Sequence, residues 1–258
     1  MTLTMTLSVT RARPQKAAAT SSLQTPKQNQ ILAALPAEEY ARLLPNLELI
    51  QLPLGWVLYE PGVQMDYVYF PITGIISLLY VMQNGASAEI ALTGNEGLVG
   101  TSLFMGGEST TSRAVVQNAG ASYRLKADIL RREFALGGPL QYLALRYTQA
   151  LMAQMTQTAA CNRHHTLDQQ LCRWLLLSLD CLPGDELTMT QQLIANMLGV
   201  NLEGVTEALD KLEAEGMIRY KHGLITVLNR PLLEDCVCEC YAVVKNELNR
   251  LLPYKLAA

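Results

Sequence analysis

The chain has 258 residues, half of them apolar, with 20 Lys and Arg against 23 Asp and Glu and a net charge of -3. That length can bury a large core and suits two domains, since one typically takes about 100 to 200 residues. The balance of charge excludes a polycation that coats nucleic acid by charge alone. No apolar run approaches the roughly 18 residues that cross a bilayer, the longest being Ile75 to Met82 and Trp174 to Leu179.

Residues 1–28 are rich in Thr, Ser, Ala and Gln, and residues 1–30 carry Arg11, Arg13, Lys16 and Lys27 with no acid. There is no apolar signal core, so this stretch reads as a disordered lead and the protein as cytoplasmic. All six cysteines, Cys161, Cys172, Cys181, Cys236, Cys238 and Cys240, lie late in the chain. A cytosolic setting favours free thiols.

Residues 29–136 form the next unit. Asn29 to Leu44 reads as two short helical turns around Pro36. From Leu47 to Leu125, short apolar runs broken by frequent glycines argue for many short antiparallel strands, hence a jelly-roll-like β-roll. Gly74 to Met82 and Ala86 to Thr93 flank Gln83-Asn84-Gly85, and Asn-Gly supplies the positive φ of a tight hairpin.

After Ala127 the apolar period becomes helical. Pro139 can open a helix, and residues 137–161 carry a stripe of Tyr142, Leu145, Gln149, Met152, Thr156 and Ala159 spaced 3, 4, 3, 4 and 3. This is a heptad seam with small and polar members, suited to a second helix lying close, and so to a homodimer. A second stripe, Leu140, Leu143, Tyr147 and Leu151, suits packing on the roll. The alternative is a helix buried within a monomer. Cys161-Asn162-Arg163-His164-His165-Thr166 interrupts the stripe as a hinge before a helix over Leu167 to Leu179.

Residues 162–250 read as helix, helix, helix and hairpin. Thr190 can cap Gln191 to Leu198 by accepting from a first-turn amide, and Gly199 can adopt the left-handed conformation that ends that helix. A second helix runs from Leu202 to Glu215 and stops at Gly216. Met217 to Tyr220 and Leu224 to Leu228, joined by Lys221-His222-Gly223, form a wing. Ile194, Ala195, Leu198, Val200, Val205 and Ala208 meet the steric needs of a helix-turn-helix. The fold class is therefore α+β: a β-roll, a long helix and a C-terminal winged helix-turn-helix.

This layout resembles the Crp/Fnr superfamily of bacterial transcription regulators, most specifically in LPLGWVLYEPG (52–62), YFPITGIISLL (69–79), CNRHHTLDQQLCRWLL (161–176), LTMTQQLIANMLGV (187–200) and EGMIRYKHGLITVLNRPLLEDCVCECY (215–241). The resemblance implies a homodimer whose roll receives a signal and whose winged helices bind a palindromic operator, with RNA polymerase or another protein as a further partner, and no enzyme. Members that bind cyclic nucleotide use a Gly-Glu-Leu turn and an Arg-Ser pair, whose guanidinium grips phosphate. Here the matching segments are Gly100-Thr101-Ser102, without Glu, and Ser112-Arg113, with the Arg displaced by one residue and so turned to the other strand face. Cyclic AMP is therefore not expected as a cofactor. The roll takes another small molecule or a protein, or only supports the dimer. Thr156 matches a position that touches adenine, but a helix seam also accounts for it.

For DNA, the resemblance and helix geometry point to Asn201, Leu202, Glu203, Thr206 and Glu207. Glu203 matches a Glu that accepts from cytosine, whereas Leu202 and Glu207 stand where regulators of this type place guanine-reading arginines. Residues 162–258 hold 9 Lys and Arg against 13 Asp and Glu, so phosphate contacts must be local: Thr190, Gln191 and Gln192 at a helix start, Arg163 and Arg173 at the hinge, and Arg219, Lys221 and His222 on the wing. One alternative is a member that has lost DNA binding and acts through protein contacts. A more distant one is a thiol or metal sensor on Cys236, Cys238 and Cys240. In one continuous helix, however, only Cys236 and Cys240 share a face, so burial as small hydrophobes accounts for these thiols and no metal site is expected. Haem is not expected either, since His164, His165 and His222 lie outside the roll.

Overall fold

The structure, a computed structural model, describes residues 24–182 and 184–252. Most of the expected N-terminal lead lies outside them. Of its residues, 24–28 are described: Pro26–Gln28 form a 3-10 turn with Pro26 buried, and Tyr123 Oη donates to the Gln24 carbonyl at 2.9 Å.

Two short helices, α1 (Gln30–Ala33) and α2 (Ala37–Leu43), flank Pro36 as expected. Asn29 starts them. Its buried side chain accepts from the Ile31 and Leu32 amides and donates to the carbonyls of Pro71 and Gly97, so each polar end is satisfied. The roll follows with β1 (Glu48–Leu52), β2 (Val57–Tyr59), β3 (Tyr67–Val81), β4 (Ser87–Thr93) and β5 (Arg113–Lys126), in the order β1-β5-β3-β4, with β2 also pairing β5. Every pairing is antiparallel.

The strand β3 is longer than the hairpin signal suggested, because its first half pairs with β5 and, at Tyr69, bridges to Val99, while β4 joins from Ile76 onward. Pro71 sits in that first half, where its missing amide leaves no β4 partner unpaired. Register slips occur where Gly120 crosses Thr73: a Cβ at Gly120 would lie 2.2 Å from the Thr73 carbonyl oxygen.

Helix α3 (Ala127–Ala135) leads into α4 (Pro139–His164), which is 26 residues long and starts at a Pro in its first turn. Leu140, Leu143, Tyr147 and Leu151 are buried in the core of the roll. The hinge is narrower than the sequence suggested. The helix continues through Cys161 to His164, and the break comes at His165 and Thr166, where a capping box of Thr166 and Gln169 starts α5 (Leu167–Asp180).

The last unit contains β6 (Glu186–Thr188), α6 (Gln191–Leu198), α7 (Leu202–Ala214), β7 (Ile218–Lys221), β8 (Leu224–Val227), α8 (Arg230–Cys236) and α9 (Cys240–Leu251). Strand β6 was not foreseen. It makes the wing a three-stranded sheet of order β6-β8-β7. A second core of Leu171, Trp174, Leu175, Ile194, Val205, Leu209 and Ile225 joins α5 to α6, α7 and the wing, and extends to Ile75, Leu79 and Leu92 of the roll. Helix α9 runs back along α4, where Arg146 donates to the carbonyls of Arg250 and Leu251 and so satisfies the end of α9.

Candidate nucleic-acid interface

The helix-turn-helix is built by local signals. Thr190 Oγ1 accepts from the Leu193 amide at 3.3 Å, and Gly199 ends α6 at φ 69°. A Cβ at Gly199 would lie 3.2 Å from the Ala88 Cβ, so the turn itself rests on β4. Asn201 opens α7 by accepting from the Gly204 amide at 2.8 Å. That bond uses one lone pair of its oxygen, and the side chain remains exposed.

Asn201, Leu202, Glu203 and Glu207 are exposed on α7, with Asp210 beside them. Leu202 is 43 % exposed, a large apolar side chain held at the start of the helix. Thr206 is only half exposed: its hydroxyl donates to the Leu202 carbonyl and to Gln191 Oε1, tying α7 to α6. Gln191 is thus partly used within the fold, while Thr190 and Gln192 stay exposed beside it. Lys211, the one cation of α7, is held by Asp168 at 2.5 Å. The outward face of α7 is consequently acidic.

The wing supplies the opposite charge. Arg219, Lys221 and His222 are all exposed, and the turn is made by His222 at φ 51° and Gly223 at φ 81°. Arg163 is exposed near the end of α4. Arg173 must be removed from the phosphate contacts. It is 4 % exposed in α5, and its Nη1 donates inward to Thr158 at 3.1 Å.

The candidate effector residues come together only in part. Ser112 is buried and shares a hydrogen bond with Thr110 at 3.2 Å. Arg113, its neighbour on the outer face, is taken by Glu60 at 2.7 Å. Thr101 and Ser102 open a 3-10 turn, Thr101–Leu103, preceded by Gly100 at φ 121°. Thr156 lies on the exposed side of α4 and donates to its own helix at Met152. A cavity of about 350 Å³ lies instead between α4, α5 and α9, lined by Tyr147, Leu151, Gln154, Leu177, Cys181 and Lys245.

Two further clusters had not been foreseen. At the junction of roll and α5, Ser77 Oγ lies 2.5 Å from Glu89 Oε2 and also hydrogen-bonds with Gln117 Oε1, Trp174 Nε1 donates to Glu89 at 3.1 Å, and Gln117 donates to Ser178 at 3.3 Å. Burial pushes the Glu89 carboxyl up to about 7, against the opposing effects of Ser77, Arg173 and Trp174. At the far end of α4, Cys161, His165, Cys238 and Cys240 bring four donor atoms within 4.8 Å of one another. This corrects the expectation that the late cysteines lie in one helix. Val237 is extended at ψ 150°, so α8 ends before Cys238 and α9 starts at Cys240. Cys236 turns away towards Cys172. The available signal was the four-residue spacing of Cys161 and His165, about one helical turn, although α4 itself ends at His164.

A strand roll, a long helix and a winged helix in one chain make up a transcription-regulator fold. Residues 49–135 match the model of the cyclic nucleotide-binding domain, and residues 169–236 that of the Crp-like helix-turn-helix domain. The chain belongs to the Crp/Fnr superfamily. Among solved structures it is similar to FixK2 from Bradyrhizobium japonicum, at 17 % identity and TM-score 0.64, covering 74 % of this chain and 98 % of that one. The c-di-GMP-responsive global regulator CLP from Xanthomonas campestris has 17 % identity and TM-score 0.59, covering 74 % and 99 %. A Crp/Fnr-family transcriptional regulator from Thermus thermophilus has 22 % identity and TM-score 0.57, covering 73 % and 97 %. No curated protein matches the chain significantly.

Proposed function

We propose that the protein is a homodimeric, DNA-binding transcription regulator that pairs along α4, reads DNA with α7 and responds to a signal other than cyclic AMP. In this reading residues 29–136 are the sensor, 137–161 the dimer helix and 162–250 the DNA-binding unit. The observation that carries it is the exposed start of α7 set beside an exposed basic wing. Asn201, Leu202 and Glu203 face outward, and Arg219, Lys221 and His222 stand where they can neutralise phosphates. The seam also supports pairing, since Tyr142, Leu145 and Met152 are each at least half exposed on α4. Arg113 held by Glu60 supports a ligand other than a cyclic phosphate.

Selection from a randomised duplex library tests this reading. The expected outcome is enrichment of a two-fold symmetric site, bound with an affinity that falls steeply with salt. Arg219→Ala with Lys221→Ala should flatten that salt slope by about one per phosphate contact removed. Absence of binding to the pool at low salt sinks the reading. It would favour a second one, in which the winged helix binds protein, because Glu203, Glu207 and Asp210 face outward while Lys211 is neutralised by Asp168. The DNA-binding reading places the protein in the cytoplasm.

A further inference from the structure

We propose that Cys161, His165, Cys238 and Cys240 form a mononuclear zinc site that clamps the turn between α8 and α9 to the end of α4. The geometry carries it. The Cys161 and Cys238 sulfurs are 3.6 Å apart, and Cys240 Sγ lies 3.4 Å from His165 Nδ1. With Zn–S bonds of about 2.3 Å and Zn–N bonds of about 2.0 Å, a tetrahedral ion holds its donors about 3.5 to 3.8 Å apart. All four donors already lie within 4.8 Å of one another, so side-chain adjustment of about an ångström completes the tetrahedron. An iron-sulfur cluster interposes several metal and sulfide atoms between its cysteines and needs them more widely spread. Three thiolates with one imidazole match the preference of zinc for sulfur and nitrogen.

The surroundings match a metal-bound form. His165 presents Nδ1 to the sulfurs, and its Nε2 lies 3.3 Å from Glu239 Oε2, the carboxylate contact that orients a ligating histidine. Gln157 Nε2 donates to Cys240 Sγ at 3.0 Å, which suits a thiolate better than a neutral thiol. The three cysteines are almost wholly buried. Binding Zn²⁺ expels the three thiol protons to solvent and leaves a net charge of minus one on ion and ligands. Arg173 supplies the countercharge: it is buried, acts on Cys161, and its Nε has no hydrogen-bond partner among the described residues.

The site lies 24 residues or more from α7 in sequence and is independent of how DNA is read. Its test is metal analysis of the full chain purified with reductant under anaerobic conditions, then reloaded with Zn²⁺ or Co²⁺. We expect about one ion per chain, intense visible bands from tetrahedral Co²⁺ with thiolate charge transfer, and three thiols shielded from a thiol reagent. Cys161→Ser, Cys238→Ser or Cys240→Ser should weaken binding at least 100-fold, and Glu239→Gln about 10- to 100-fold. Cys172→Ser and Cys236→Ser should leave it unchanged. If a serine variant fails to fold, thiol protection and Co²⁺ spectra of the unaltered chain decide the matter. No uptake of Zn²⁺ or Co²⁺, iron-sulfur absorption, or a Cys161–Cys238 disulfide in the anaerobic protein would each overturn the proposal.

Discussion

The Glu89 junction and the Cys161 corner are both buried polar clusters on which the charge of Arg173 acts, yet their hydrogen bonding differs. At the junction donors and acceptors alternate: Ser77, Gln117, Ser178 and Trp174 answer one another and the carboxyl. At the corner four electron-pair donors face each other, and Cys161 and Cys238 meet sulfur to sulfur. Alternation makes a structural network that holds the roll to α5. Convergence of like donors is the arrangement that a cation stabilises.

The largest effect should come from breaking the junction. Trp174→Ala removes a ring that is 2 % exposed in the second core along with its bond to Glu89. The expected loss is about 3–5 kcal/mol in urea unfolding. A loss below about 1 kcal/mol would mean that this junction does not hold the two units.

A smaller effect is expected from Glu89→Gln. The folded carboxyl is raised to about 7 by burial from an ordinary value near 4.5, so the native state holds its proton longer than the unfolded chain does. Stability is fully present below the unfolded value and falls as pH rises through that window, by at most about 1.4 kcal/mol per pH unit. The glutamine variant should lose this slope in denaturant titrations between pH 4.5 and 7.5. An unchanged slope would place the pH dependence elsewhere.

Arg113→Ala should have the least effect. Its ion pair with Glu60 is a third to two-fifths exposed on its two partners, and such pairs are worth about 1 kcal/mol or less. Calorimetry with cyclic AMP should show no binding heat before or after the change. Binding that is lost with Arg113 would restore the roll as a cyclic nucleotide site.

Much of the winged helix was legible because its signals are local. Thr190 and Gly199 act on amides or backbone angles within a few residues, so capping chemistry locates α6 and the turn after it without knowledge of the rest. The two stripes of α4 were legible for the same reason: a helical period sorts Leu143 and Tyr147 inward and Tyr142 and Met152 outward. Strand β6 was not legible, since three residues carry no period and pair only because β8 arrives beside them.

The sequence by itself determined most of the elements, both ends of α6 and the family, through spacing and steric needs that hold within one or two turns of chain. Only the tertiary structure decided which polar groups meet. Arg173 looked like a hinge cation until the packing of α5 buried it. Cys161 and Cys238 are 77 residues apart in the chain and touch because the backbone turns extended at Val237, which helical spacing alone would forbid. Long-range contact depends on how whole elements dock, and docking is set by the summed burial of many side chains rather than by any one motif.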